Sequence, residues 1–380
     1  MENLKGMRYN TGMKVDDLKK ALKGVKDPRR TECGNIRHKL EDILIIGLCT
    51  LICNGEDFED MEEFGKERKE FLKGFLELPN GIPDSDTFRR VFERVNPQAL
   101  AEALYSFLGT IRPEGSVIAV EGKTERGSRS QWHRAYHVVS AFVAESQITL
   151  GELATDEKSN EITAVPELLK FLDIEKSVVT ADAMSCQAEI VKTIVGGKAD
   201  YVIAAKRNQR GLYKFIKDKF HEFSGKTKEF VTTERRRSQD EERSCCLLTD
   251  LSGLSKPEKW PELKAVGRVV TTVRKGGNVR IQTRYYISSI TDTERFAYVT
   301  RKHWSIENQL HWFLDVVFHE DGSRAKKDNS PLNLNVLRKT ALFLCRNCGE
   351  EKLRKSSLQK RRYRASMNPD ILSAILFGKV

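Results

Sequence analysis

Apolar and polar positions fall into two regimes along the chain. Up to about residue 110 the apolar residues recur at helical spacing. Positions 38–53 hold Ile43, Leu44, Ile45, Ile46, Leu48, Leu51 and Ile52, a stretch that suits a buried helix. Asn54-Gly55 ends it, and 57–76 resumes the pattern with Phe58, Met61, Phe64, Phe71, Leu72 and Phe75, up to a stop at Pro79-Asn80-Gly81. Ser85-Asp86-Thr87 predicts a capped helix start, and Pro97 opens another helix running toward Leu108.

From Gly115 the runs shorten. Segments 117–120, 137–144 and 148–154 read as three strands, the last two joined through Glu145-Ser146-Gln147, as in an antiparallel meander. Ser159-Asn160 predicts the cap of a helix reaching Leu172. Segment 178–181 is a fourth strand, 186–195 a helix and 201–205 a fifth strand. Few folds share this order, and the leading one is the α/β ribonuclease H-like fold. Residues 208 to about 290 break the alternation with a helix at 212–220 and strand-like runs at 230–233, 244–248, 266–273 and 280–290. This is a β-rich insertion of about 80 residues, longer than an ordinary loop. Helices follow at 303–318 and 331–345. The organisation expected is an N-terminal helical domain over 1–112 for DNA binding or support, a catalytic core over 113–345 with the insertion at about 208–290, and a basic helical tail over 346–380.

Charge narrows the partners. The net charge of +11 favours a polyanion, with nucleic acid ahead of membrane. Lys352, Arg354, Lys355, Lys360, Arg361, Arg362 and Arg364 crowd the tail, where a solvated helix face and a phosphate-contacting surface are both open readings. No run approaches the ~18 apolar residues of a membrane span, and positions 1–10 lack the apolar core of a signal peptide. A cytoplasmic, nucleoid-associated protein is expected. Cys345-x-x-Cys348 has no second pair, so reduced, buried thiols are expected rather than zinc.

The candidate chemistry is carboxylate chemistry. Glu121 follows four apolar residues and Asp182 follows the strand-forming run Val178-Val179-Thr180-Ala181, and in a ribonuclease H-like layout their strands are neighbours. A helix cap or surface charge is the ordinary fate of a lone acid, but two acids at one sheet edge point to a shared role. Glu307 supplies a third acid, recurring with His311 and Asp315 every four residues on a polar helix face, opposite Ile306, Leu310, Phe313 and Val317. Three carboxylates without cysteine describe a hard-cation site for Mg²⁺ or Mn²⁺. Two such ions can clamp the attacking and leaving oxygens of an in-line phosphoryl transfer. Lys123, Lys158, Lys206, Arg207 and Asn208 lie at strand ends or loops near that edge, as phosphate contacts or solvated polar groups. Trp304 and His311 read as packing or supporting groups around the acids. Gly122-Lys123-Thr124 is not a phosphate-binding loop, because Val117 stands where that motif needs glycine. Cys186 has no histidine nearby in sequence and does not read as a nucleophile.

Leu78-Pro79-Asn80-Gly81-Ile82-Pro83, Glu121-Gly122-Lys123-Thr124, the 156–164 stretch, Asp182-Ala183-Met184, Asn208-Gln209, 285–289, His303-Trp304-Ser305-Ile306-Glu307-Asn308 and Leu310-His311-Trp312 occur in family order. On these the chain resembles the H-repeat-associated (ISAs-type) transposases of bacterial insertion sequences. The resemblance implies a DDE-type transposase that cleaves and joins double-stranded DNA at element ends with Mg²⁺. Asp182 and Glu307 stand as its second and third acids, and a homodimer is expected on DNA. The family has Asp where this chain has Glu121, and a Glu reaches farther by about one carbon–carbon bond, ~1.5 Å. A catalytically impaired, DNA-binding relic is therefore the alternative expectation.

Overall fold

The computed structural model describes residues 15–30, 34, 36–108, 112–131, 134–155, 161–223, 227–236 and 239–378. Helices α1 (Val15–Leu22), α2 (Leu40–Ile52), α3 (Phe58–Glu67), α4 (Lys69–Lys73), α5 (Ser85–Arg94) and α6 (Pro97–Leu108) form the N-terminal region. Apart from Glu41, every residue of α2 is buried, including Asp42, which accepts the amide of Leu78. A helix apolar all round needs cover on every side. Part of that cover comes from far along the chain: at Gly47 an added Cβ would lie 3.1 Å from Phe92 and 3.3 Å from Leu337. The helix expected over 57–76 is divided at Arg68, whose backbone (φ −108°, ψ 18°) leaves helical geometry between α3 and α4.

The rest is a mixed α/β arrangement around one large sheet. In chain order come β1 (Val117–Thr124), β2 (His137–Val143), β3 (Ile148–Thr155), α7 (Glu161–Lys170), β4 (Val178–Ala181), α8 (Ala188–Gly196), β5 (Asp200–Ala205) and α9 (Arg210–Glu222). Then follow β6 (Phe230–Arg236), β7 (Gln239–Leu248), β8 (Ala265–Lys275) and β9 (Asn278–Ser288). The sheet order is β3-β2-β1-β4-β5-β9-β8-β7-β6. β1 to β3 are antiparallel neighbours, and β4 and β5 run parallel to β1. The strands of the 208–290 stretch do not stand apart. β9 pairs antiparallel with β5, from Val202↔Ser288 to Ala205↔Tyr285, so the stretch lengthens the same sheet.

After the sheet the chain forms α10 (Thr293–His303), capped by the Asp292 side chain, a π-helical turn (Ile306–His311) and α11 (Trp312–Val316). The helix expected over 303–318 therefore begins earlier and changes winding at Ile306. Next is α12 (Ser330–Asn347), followed by α13 (Glu351–Arg354), α14 (Leu358–Met367) and α15 (Pro369–Phe377). α12 lies between the N-terminal helices and the sheet. Asn333 Nδ2 donates to the carbonyls of Phe92 (2.8 Å) and Val95 (2.9 Å), while Lys339 Nζ reaches Ser140 Oγ (3.1 Å) and Glu152 of the sheet. Tyr105 of α6 donates to the same Glu152 (3.0 Å).

The basic tail divides in two. Arg362 is buried and donates to the carbonyls of Leu51 (2.8 Å) and Val317, and Arg361 donates to Cys345 O (2.8 Å). These two cations hold backbone, whereas Lys352, Arg354, Lys355, Lys360 and Arg364 are exposed. Cys49, Cys53, Cys186, Cys245, Cys246, Cys345 and Cys348 are free and buried, and Cys33 lies outside the described residues.

Candidate metal centre

Glu121 comes to the sheet edge because β1 is apolar and buried through Val120 and then emerges. The parallel pairing of β1 with β4 ends at Val120↔Ala181, so Glu121 and Asp182 each stand one residue past the last paired step. Asp182 closes a turn: its Oδ1 accepts the amides of Met184 (2.9 Å) and Ser185 (3.3 Å). Asn208 Nδ2 donates to Ala183 O (2.6 Å), and Gln209 Nε2 to Cys186 O (3.0 Å), so the 206–209 segment holds this turn from below. Burial pushes the Cys186 thiol up to about 12, which leaves it an inert packing group.

The third acid arrives on the π-helical turn. His311 Nδ1 lies 3.2 Å from Glu307 Oε2 and 4.0 Å from Glu121 Oε2. One ligand atom each from Glu121, Glu307 and His311 falls within 4.8 Å of the others. The Glu307 side chain is 54% exposed and that of Glu121 29%, whereas His311 is 6% exposed, so the grouping opens to solvent over a buried imidazole. The His311 hydrogen bond lowers the Glu307 carboxyl below its usual range, and burial lowers His311. Burial thus favours the uncharged form of His311, the form in which an imidazole can ligate a metal. Asp182 is outside this tight grouping but acts electrostatically on His303, which burial brings down to about 4 and whose Nδ1 has no hydrogen-bond partner. The Arg284 guanidinium lies 4.6 Å from the Trp304 ring, which meets His303 edge-on.

Each residue after Glu121 is tied down. Gly122 faces the buried His137–Glu161 pair, where an added Cβ would collide with both side chains. Lys123 Nζ sits 2.6 Å from Asp315 and 2.9 Å from Glu320, so its charge is met inside the protein. Thr124 Oγ1 bonds His137 Nδ1 at 3.0 Å. Lys206 and Arg207 are exposed at the end of β5, and Lys158 lies outside the described residues. Sequence reasoning gave no role to Glu161, Glu320 and Glu125, all three of which are buried. Burial first, and then the Glu320 charge, raises the Glu125 carboxyl to about 8.

An acid cluster at the edge of a mixed sheet, preceded by a helical region, defines a class that the family models name. Residues 112–344 match the model described as Transposase DDE domain, and residues 19–108 match DDE_Tnp_1-associated. The chain belongs to the DDE transposase family, and among its relatives are H repeat-associated members. It is 35% identical to "Putative transposase YncI" of Escherichia coli O157:H7, covering 96% of this chain and 95% of that protein. It is 34% identical to "H repeat-associated putative transposase YhhI" of Escherichia coli K12, over 96% of this chain and 99% of that one. "H repeat-associated putative transposase YbfD" of the same strain is 38% identical over 54% of this chain and 83% of its own length. Among the described residues no helix is long and apolar enough to cross a membrane.

Proposed function

We propose that this protein is an insertion-sequence transposase that cuts double-stranded DNA at element ends and joins the freed 3′ ends to a target, using Glu121, Asp182 and Glu307. The observation that carries the reading is the convergence of Glu121, Glu307 and His311 ligand atoms within 4.8 Å, at the end of the β1–β4 pair that also delivers Asp182. The order β3-β2-β1-β4-β5, antiparallel then parallel, supports a ribonuclease H-like core for it.

The donor set fits Mg²⁺ or Mn²⁺: carboxylate oxygens with one imidazole and no thiolate. Glu121, Asp182 and Glu307 would hold up to two such ions, which when bound neutralise charge on the scissile phosphate and activate the attacking oxygen. The remaining work falls to the chain's own groups. His311 orients Glu307 through Nδ1. Asn208 and Gln209 hold the 182–187 turn, which keeps Asp182 beside Glu121. Lys123, fixed by Asp315 and Glu320, braces the strand end against α11. Lys206 and Arg207, exposed next to that turn, are the nearby groups suited to incoming phosphates. Two element ends need two such sites, hence a homodimer on DNA, acting on the chromosome in the cytoplasm.

The test is strand transfer by the purified protein on element-end DNA with Mg²⁺ or Mn²⁺. Joined product is expected, and Asp182→Asn and Glu307→Gln should each lower its yield at least about 100-fold, as loss of metal-supporting groups does. No product with either ion would sink the proposal.

A further inference from the structure

From Ala265 to Ser288 the chain carries Arg268, Arg274, Lys275, Arg280 and Arg284 and no carboxylate, although acids are 54 of its 380 residues. These residues are the β8–β9 ribbon, closed at Gly276-Gly277 by a two-residue turn with both φ positive (53° and 81°). Toward that turn the ribbon leaves the body of the protein: residues 278–283 of β9 are exposed on both faces. The two faces differ. Arg274, Val279 and Ile281 share one, since Arg274 pairs with Val279 and Thr272 with Ile281. The other presents Asn278, Arg280, Gln282 and Arg284 at successive alternate positions, with Lys275 opposite Asn278. Every one of these side chains can donate a hydrogen bond.

This donor stripe has a direction. Its inner end, Arg284, stacks on Trp304, three residues before Glu307, and acts with Asp182 on the buried His303. The acids of β6 and β7 on the same face, Glu234 and Glu241, are both held by Arg301 of α10, at 2.6 Å and 3.2 Å. The stripe therefore keeps its positive charge. Arg268 and Arg274 are engaged by Glu229 and Glu242.

We propose that the Asn278–Arg284 face of β9 is a track for the phosphate backbone of double-stranded DNA leaving the acid cluster, with Arg284, Arg280 and Lys275 as successive contacts. At about 3.3 Å per residue the stripe covers ~20 Å, which at 3.4 Å per base pair is about six base pairs. The proposal deepens the transposase reading and rests on it for the identity of the polyanion.

Binding without chemistry tests it: fluorescence anisotropy of a labelled duplex of arbitrary sequence, free of divalent metal, across a salt series. Each phosphate contact contributes about 0.9 to the slope of log K against log salt. K275Q/R280Q should therefore flatten the slope by about two and weaken low-salt binding at least about tenfold. Arg274→Gln, on the opposite face, removes one charge as well and should leave both unchanged. A double variant that binds like wild type overturns the track, and so does an Arg274→Gln loss per charge as large as that of the double variant. If the double variant melts at a lower temperature, Lys275→Gln at the ribbon tip reads the same effect as a slope change of about one. Wild-type protein that binds duplex but joins no strands sinks the transposase reading and leaves this result standing. Unchanged variants in a protein that does join strands overturn the track alone, and wild-type protein that binds no duplex overturns both.

Discussion

Gly122 shows how much one position beside the acids is constrained. Its missing side chain is the space into which the His137–Glu161 pair fits, so Gly122→Ala must either shift β1 or break a buried pair. Overpacking and loss of a buried pair together suggest about 3 kcal/mol of lost stability in urea unfolding. Wild-type stability in that variant would show that the pair is free to move. The apolar run ending in Glu121 is legible in the sequence because it is local. The groups that fix Gly122 and Lys123 are not: Glu161 lies 24 positions from His137, and Asp315 lies 192 from Lys123. No spacing rule links a lysine to an acid that far along the chain, which is why Lys123 reads from sequence as a phosphate contact or a solvated charge and in the structure meets two carboxylates.

Among the elements, the π-helical turn at Ile306–His311 matters most to the site. Its residue types fit an ordinary α-helix, and the i→i+5 winding leaves no periodic mark that sequence reading could use. Such turns cost stability and are frequent at functional sites. Within this turn His311 meets Glu307 and lies near Glu121, while Asp315 one turn on reaches Lys123. Deleting Asn308, an exposed residue of this turn, should restore α winding and bring Glu307 and His311 from four residues apart to three, which changes how their donor atoms meet Glu121. The deletion is expected to melt within a few degrees of wild type and to lose Mn²⁺ affinity about 10- to 100-fold by electron paramagnetic resonance titration. Retained affinity would mean that the winding is irrelevant to the site. The short strands behave differently: their apolar runs between turn residues are readable, but the β5–β9 pairing joins residues 80 to 86 positions apart and has no local signal.

At the scale of the whole molecule, α12 gathers charge into the interior, and pH should act there. Glu125, bonded by Asn335 and close to Glu320, Lys339 and Glu152, has its carboxyl raised in the fold to about 8 from its ordinary 4.5. Between those values the folded chain holds a proton that the unfolded chain has released. Stability from this group is therefore fully present below about 4.5 and declines as pH rises toward about 8. Melting temperatures between pH 5 and pH 8.5 should fall for the wild type, and Glu125→Gln should flatten that part of the profile. An unchanged slope would place the proton elsewhere. The same helix has a second consequence, for synthesis. α2, buried on nearly every side, needs Leu337 against Gly47 and Arg362 on the Leu51 carbonyl before its surface is closed. α2 thus remains sticky until α12 and α14 have been translated, and nascent chains of this kind are prone to aggregation and proteolysis. A gene copy cut short before codon 330 would yield a chain destined for degradation rather than a stable competitor for the same DNA.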